Sequence, residues 1–247
     1  MPYRTGFALV TTINRAVVYV DGLNLYGSAL KGTDYKWLDL MSMSKTLTPA
    51  GYTLEDVKYF SAELSPVATE DPAALQRQRN YMKALAATGV DVRRGTFIVQ
   101  TAWRALDMAT PWEDRTRPKL DPALAAQLDA EETAASRPWK ARVKLPEEKF
   151  TDVALGVEIV DDFHNSRCEL AIVITNDSDM APAITKVVEQ GHQVLLFTPG
   201  ATNKHLRKAV TSHRPLRSGI FQSHQLPNIV LAPNGTSQFE CPNVWKP

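Results

Sequence analysis

Two stretches of this chain leave little freedom in how it can fold. Ala16-Val17-Val18-Tyr19-Val20 is apolar throughout and stops at Asp21-Gly22. Leu170-Ala171-Ile172-Val173-Ile174 does the same and runs through Thr175-Asn176 into Asp177-Ser178-Asp179. A strand with one wet face alternates apolar and polar side chains. An unbroken apolar run needs cover on both faces. Val57-Lys58-Tyr59-Phe60 and Gln193 to Phe197 read as further strands, and Val90–Val92 with Thr96–Val99 as a strand broken at Arg93-Arg94-Gly95.

Helical patterns fall between these runs. From Pro72 to Ala87, Leu75, Met82 and Leu85 keep helical spacing, with Asp71-Pro72 as the opening and Gly89 as the stop. Residues 151–163 read as a mostly buried helix through Val153, Leu155, Val157, Ile159 and Val160. Met180 to Gln190 is a helix with Pro182 early and Gly191 as its stop, and Asn203 to Val210 is a short one. Strands alternating with helices predict an α/β fold with a central, mainly parallel sheet covered on both faces. Right-handed crossovers then gather the carboxyl ends of the strands on one edge, where sites form.

Residues 101–148 depart from this pattern. They carry nine acidic and eight basic residues, five prolines (111, 118, 122, 138, 146) and the tryptophans 103, 112 and 139. Only Pro122 to Ala135 reads as helical, so the segment is expected to be an insertion, flexible in part, that gates the substrate. Met1 to Asn14 reads as a loose leader. The main domain is expected over 15–217, and 218–247 as a C-terminal extension packed on it. No stretch approaches a membrane span or a signal-peptide core. Cys168 and Cys241 form neither a CxxC pair nor a zinc spacing, which suggests a reducing, cytoplasmic setting. Oligomeric state is not legible.

The acids at the strand ends carry the chemistry. Asp21 closes the first strand, with Asn24 one turn on; Asp152 opens a helix; Asp177 and Asp179 follow the strand at 170–175. Each alone suits a helix N-cap, Asp179 above all. Together they fall where one site would need them. Clustered carboxylates repel unless a cation relieves them, and oxygen ligands without His or Cys select Mg²⁺ or Mn²⁺.

The segments Val20-Asp21-Gly22-Leu23-Asn24-Leu25-Tyr26, Glu148-Lys149-Phe150-Thr151-Asp152-Val153-Ala154-Leu155 and Thr175-Asn176-Asp177-Ser178-Asp179-Met180-Ala181-Pro182 occur in that order. So arranged, they resemble the NYN domain family of the PIN-like nuclease superfamily, over roughly residues 15–210 without most of the insertion. The resemblance implies a PIN-like three-layer α/β/α fold and metal-dependent ribonuclease activity. By motif match it makes Asp21, Asp152, Asp177 and Asp179 the acidic and metal-binding residues, with Asn24 as the polar group beside them. Many members have Gly where this chain has Phe150, and Asp where it has Glu158.

Net charge is +1, so no global field draws in a polyanion and any nucleic-acid surface must be local. Gln190 to Phe239 holds no acid, but it has Lys204, Arg207, Lys208, Arg214 and Arg217, the expected RNA track. Arg77, Arg79, Lys83, Arg93 and Arg94 offer a second flank. The expected function is hydrolysis of RNA phosphodiester bonds. The alternatives are a non-catalytic RNA-binding module, or another metal-dependent phosphoryl or glycosyl transfer enzyme using Asp177-Ser178-Asp179. The last gives Asp21-Gly22-Leu23-Asn24 no role.

Overall fold

The structure, a computed structural model, describes residues 14–67, 69, 71–105, 123 and 140–246. Strands β1 (Asn14–Asp21), β2 (Tyr52–Ala62), β3 (Asp91–Ala105), β4 (Lys140–Lys149), β5 (Leu170–Ile174), β6 (Gln193–Pro199) and β7 (Ser212–Leu216) form one sheet, in the order β4-β3-β2-β1-β5-β6-β7. β1 pairs in parallel with β2 on one side and β5 on the other, and β2–β3, β5–β6 and β6–β7 are parallel as well. The sheet is thus mostly parallel, and the direction of chain progression reverses at β1.

Alternate residues of the apolar strands serve two cores. Val18 and Val20 of β1 and Ile172 and Ile174 of β5 join one cluster with α2 (Leu40–Leu47) and α3 (Ala74–Ala87). Tyr19 and Val173 join the other with α4 (Thr151–His164), α5 (Ala181–Glu189) and α6 (Lys204–Ala209). A short helix α1 (Gly22–Leu25) and a π-turn (Tyr26–Leu30) follow β1 directly. The continuous apolar runs therefore mean what their pattern implied, a layer of helices on each face.

The C-terminal segment adds helix α7 (Ser218–Ser223) and the antiparallel pair β8 (Ile229–Leu231) and β9 (Gln238–Glu240). Phe221, Leu226, Val230 and Cys241 bury into the first cluster, and Trp37 Nε1 donates to the Pro227 carbonyl at 2.8 Å. Both cysteines are free and buried. Among the described residues no helix is long and apolar enough to cross a membrane.

On the second face, Lys58 is almost fully buried between Asp162 at 2.6 Å and Glu158 at 2.7 Å. Tyr19 Oη donates to the same Asp162 at 2.6 Å, and Arg167 reaches it at 3.1 Å. This network ties α4 to β1 and β2, and it accounts for Glu158 pointing away from the strand ends.

Four expectations need correction. Asn14 opens β1 and is not leader; residues 1–13 lie outside the described residues. β3 is unbroken across Arg93-Arg94-Gly95, because Gly95 lets the chain at 149–151 come close. β4 was not expected. In α4, Val153 and Val157 are 70% and 62% exposed, so one side of that helix faces outward. Residues 98–147 form a compact unit of their own, into which β3 and β4 lead. Most of the expected helix Pro122–Ala135, with Trp112 and Trp139, lies outside the described residues.

A Cβ on Gly95 would stand 2.8 Å from the Lys149 carbonyl and collide with the Thr151 hydroxyl. Gly95→Ala should therefore cost about 1–3 kcal/mol, the usual penalty for overpacking, read as a lower urea midpoint with unchanged slope. An unchanged midpoint would show that α4 is not held through this contact.

Candidate metal centre

The reversal at β1 makes the carboxyl ends of β1 and β5 the crevice where open α/β sheets place their sites. The register fixes what meets there. Val20 lies opposite Ile174, so Asp21 and Thr175 come next on adjacent strands. Thr175 Oγ1 donates to Asp21 Oδ2 at 2.8 Å and accepts from the Asp177 N–H at 3.0 Å. One hydroxyl thus positions both strand-end acids.

Asp21 Oδ1 accepts the Asn24 N–H at 3.0 Å, and Asp177 Oδ1 accepts the Asp179 N–H at 3.0 Å. Both acids therefore cap as well as converge. Asp152 arrives from the first turn of α4. Its entry is unusual: Phe150 is left-handed, with φ 81°, and its side chain is 65% exposed. This conformation suits glycine, which explains the Gly of the resembling family; Phe here costs on the order of 1–2 kcal/mol.

Ligand oxygens of Asp21, Asp152 and Asp177 all lie within 4.8 Å of one another. Oxygens on opposite sides of a small divalent cation, each at about 2.1 Å, stand about 4.2 Å apart, so slight closure completes a site. The three acids could hold a divalent cation.

Their electrostatics agree. Burial pushes the Asp21 carboxyl up to about 7, against its two hydrogen bonds, and the charges of Asp152 and Glu148 add to the rise. Asp152 is raised by burial and by the charges of Asp177 and Asp179. Glu148 is raised by burial, against a hydrogen bond with Thr151, and by the charges of Asp152 and Asp177. These carboxyls raise one another through their charges, the condition a bound cation relieves.

Of the expected site residues, Asp21, Asp152 and Asp177 are brought together. Asp179 lies outside the group: it is exposed, with its N–H turned to Asp177, and acts on Asp152 only through its charge. Asn24, expected as the polar group beside the acids, hydrogen-bonds Asp21 through its backbone N–H. Its Oδ1 instead accepts the Asn176 N–H at 2.8 Å, and Asn176 Oδ1 accepts the Asn203 N–H at 3.3 Å. Asn203 caps α6 through His205 N–H at 2.8 Å. This chain of amides links the acid centre to the helix bearing Lys204, Arg207 and Lys208.

Those three residues, with Arg214 and Arg217, are exposed and in no ion pair among the described residues. The second flank differs, because Arg77 pairs with Asp71, Arg79 and Arg94 with Glu63, and Arg93 with Asp91 and Glu158. Its charge is largely spent internally. Thr175, Asn176 and Glu148 were missed as site residues; Glu148 was visible only as part of the motif before Asp152.

The fold and these acids define an α/β protein with a carboxylate centre at its strand ends, and comparison with known proteins narrows the class. The family model of the NYN domain matches residues 109–217. Asp152, Asp177 and Asp179 fall within the match; Asp21 and Asn24 precede it. The 6-hydroxy-3-succinoylpyridine 3-monooxygenase HspA of Pseudomonas putida is 25% identical over 243 residues, 87% of this chain and 71% of that protein. A crystal structure of a protein of unknown function from Vibrio parahaemolyticus aligns with a TM-score of 0.48 at 12% identity, covering 87% of this chain and 97% of that one.

Above about pH 4 an unfolded Asp is ionised, whereas folded Asp21 keeps its proton to about pH 7. The folded state then binds more protons, so metal-free stability should fall as pH rises from about 4 to about 7, by a few kcal/mol. A cation takes the proton's place. The rise in Tm on adding Mn²⁺ should thus be small at pH 5.5 and grow toward pH 8. Thermal melts with and without Mn²⁺ read this, and a pH-independent Mn²⁺ shift would exclude Asp21 as a ligand.

Proposed function

We propose that this protein is a metal-dependent ribonuclease that hydrolyses RNA phosphodiester bonds. The observation that carries the reading is the convergence of Asp21, Asp152 and Asp177 oxygens within 4.8 Å at the sheet's reversal point, in a chain whose residues 109–217 match the NYN domain model. These three acids would hold Mg²⁺ or Mn²⁺, since all offer hard oxygen ligands. Such a cation supplies activation of the attacking water and relief of charge on the leaving oxygen. Thr175 holds Asp21 and the 177 backbone in register. Asp179 stands ready to accept a hydrogen bond from ordered water beside Asp152, and Asn24 keeps the 175–177 turn against α1. Lys204, Arg207, Lys208, Arg214 and Arg217 attract the RNA backbone, and the amide chain through Asn176 places that basic helix at a fixed distance from the acids.

Asp177→Asn keeps the cap and most of the shape but removes one ligand charge. Cleavage of mixed RNAs with Mn²⁺ should fall at least about 100-fold, the scale of several kcal/mol of charge stabilisation. Tm without metal should hold or rise, because one repelling charge is gone. Chelator should abolish wild-type cleavage. A mutant cleaving at wild-type rate would sink the reading, and RNA binding without cleavage by the wild type would leave a non-catalytic RNA module.

Replacing Lys204, Arg207 and Lys208 with Ala should weaken RNA binding across sequences. It should also flatten the slope of log affinity against log salt by about 2, three phosphate contacts at about 0.7 each. An unchanged slope would remove α6 from the substrate path.

A second reading, oxygenation of a small heteroaromatic acid, follows the Pseudomonas relative. It is favoured by a ring-lined cavity beside Gly22 that also offers Lys36. Oxygen uptake that requires both 6-hydroxy-3-succinoylpyridine and a reductant such as NADH would establish it; no uptake excludes it.

A further inference from the structure

A cavity of about 90 Å³ begins one residue beyond Asp21. Gly22 forms part of its wall, and the reason for glycine is local. A Cβ there would stand 2.5 Å from the Tyr59 hydroxyl, so only glycine lets that ring lie against the start of α1. Tyr59 meets Tyr81 edge-on, with centroids 6.3 Å apart at 83°, and Tyr81 meets Trp245 at 6.1 Å and 81°. These edge-to-face contacts hold the three rings against one another, and together they give the cavity an aromatic lining.

Tyr59 lines the cavity and lies against Gly22, the residue after Asp21, so the same ring stands between the cavity and the strand end that bears the acid. At the rim, Tyr26 is 40% exposed. Lys36 lines the cavity and has no carboxylate partner among the described residues, whereas Arg77 is held by Asp71.

Size and chemistry restrict the occupant. One water needs about 10–15 Å³ on this scale, so the cavity takes several waters or one planar six-membered ring. Aromatic walls bind such a ring by stacking, which tolerates any base but rewards a good fit. A free ammonium beside it suits a phosphate. In a nucleotide, base and phosphate are separated by a single sugar, and here a ring slot and a carboxylate centre are separated by a single tyrosine.

We propose that this cavity is a nucleobase subsite that takes one unpaired pyrimidine of the RNA, packed against the aromatic lining of Tyr59, Tyr81 and Trp245, with Lys36 toward its phosphate. The inference rests on the ribonuclease reading and adds a pyrimidine preference beside the cleaved bond.

The test uses the full chain without metal, titrated with UMP, CMP, AMP, uridine and 6-hydroxynicotinate while tryptophan emission is followed. UMP or CMP should quench saturably and bind at least about tenfold tighter than AMP. Ala74→Phe, which plugs the cavity from the first turn of α3, should weaken UMP at least tenfold with Tm unchanged. If that variant is destabilised, Leu64→Trp fills the same space from the other wall. Lys36→Met should weaken UMP several-fold and leave uridine alone. Unchanged UMP affinity in the plugged variants, or equal affinity for AMP, overturns the subsite. Tighter binding of 6-hydroxynicotinate than of any nucleotide overturns its assignment to RNA. Failure of UMP to bind a wild type that still cleaves RNA removes the subsite and spares the nuclease reading. UMP binding by a protein that never cleaves supports the slot and removes the nuclease.

Discussion

The acidic edge of this protein depends on one pairing, β1 beside β5 with Val20 opposite Ile174. A slip of one residue would turn every side chain of one strand to the other face and take Asp21 away from Thr175. The register holds because both strands are buried on both sides, so a slip would break two cores at once. It must hold against the acids themselves. Two ionised carboxylates at this separation repel by about 3 kcal/mol at the effective dielectric of a protein. Each fully buried aliphatic or aromatic side chain contributes about 1.5–3 kcal/mol, and the two strands supply many. The apolar sheet wins with a margin, and the carboxyls respond to burial first and to one another second by holding their protons more tightly.

The third acid is placed by other means. Asp152 rides on α4, which is oriented from below by the buried Lys58–Asp162–Tyr19 network and approached from above through a left-handed Phe150. Buried ion pairs are weak as net stabilisers, but removing one partner is costly, which makes them good locks on orientation. Here the lock sets the rotation of a helix whose first turn reaches the site. Entry through a backbone shape that favours glycine brings the chain sharply from β4 into that turn. The lock and the turn together deliver a carboxylate from a helix to a point defined by two strands.

What could be read from the sequence follows from the range of the signals. β1 and β5 declared themselves because five apolar residues in a row have few other uses, and the acids after them were conspicuous for the same reason. β4 was hidden: Lys140-Ala141-Arg142-Val143-Lys144-Leu145 alternates, but its charges and Pro146 made it look like insertion. Val153 and Val157 looked like core because hydropathy cannot tell which side of a helix lacks a partner. Thr175 and Asn176 sat in plain view in the motif, yet their work depends on which strand lies next to β5, a tertiary fact no local pattern encodes. Glu148 joins the acids for the same reason, by folding and not by spacing.

The contact between Gly95 and residues 149–151 has a consequence for how such a protein can change over time. The chain leaves the main unit and re-enters it at neighbouring points, so its departure and return are already spliced together in space. Whatever lies between closes a loop whose ends are prepaid, and lengthening it costs only about 0.6 kcal/mol per doubling. The position is a socket, into which a lineage could exchange one intervening module for another, provided that the junction itself is kept, because Asp152 of the acid centre follows directly on Thr151.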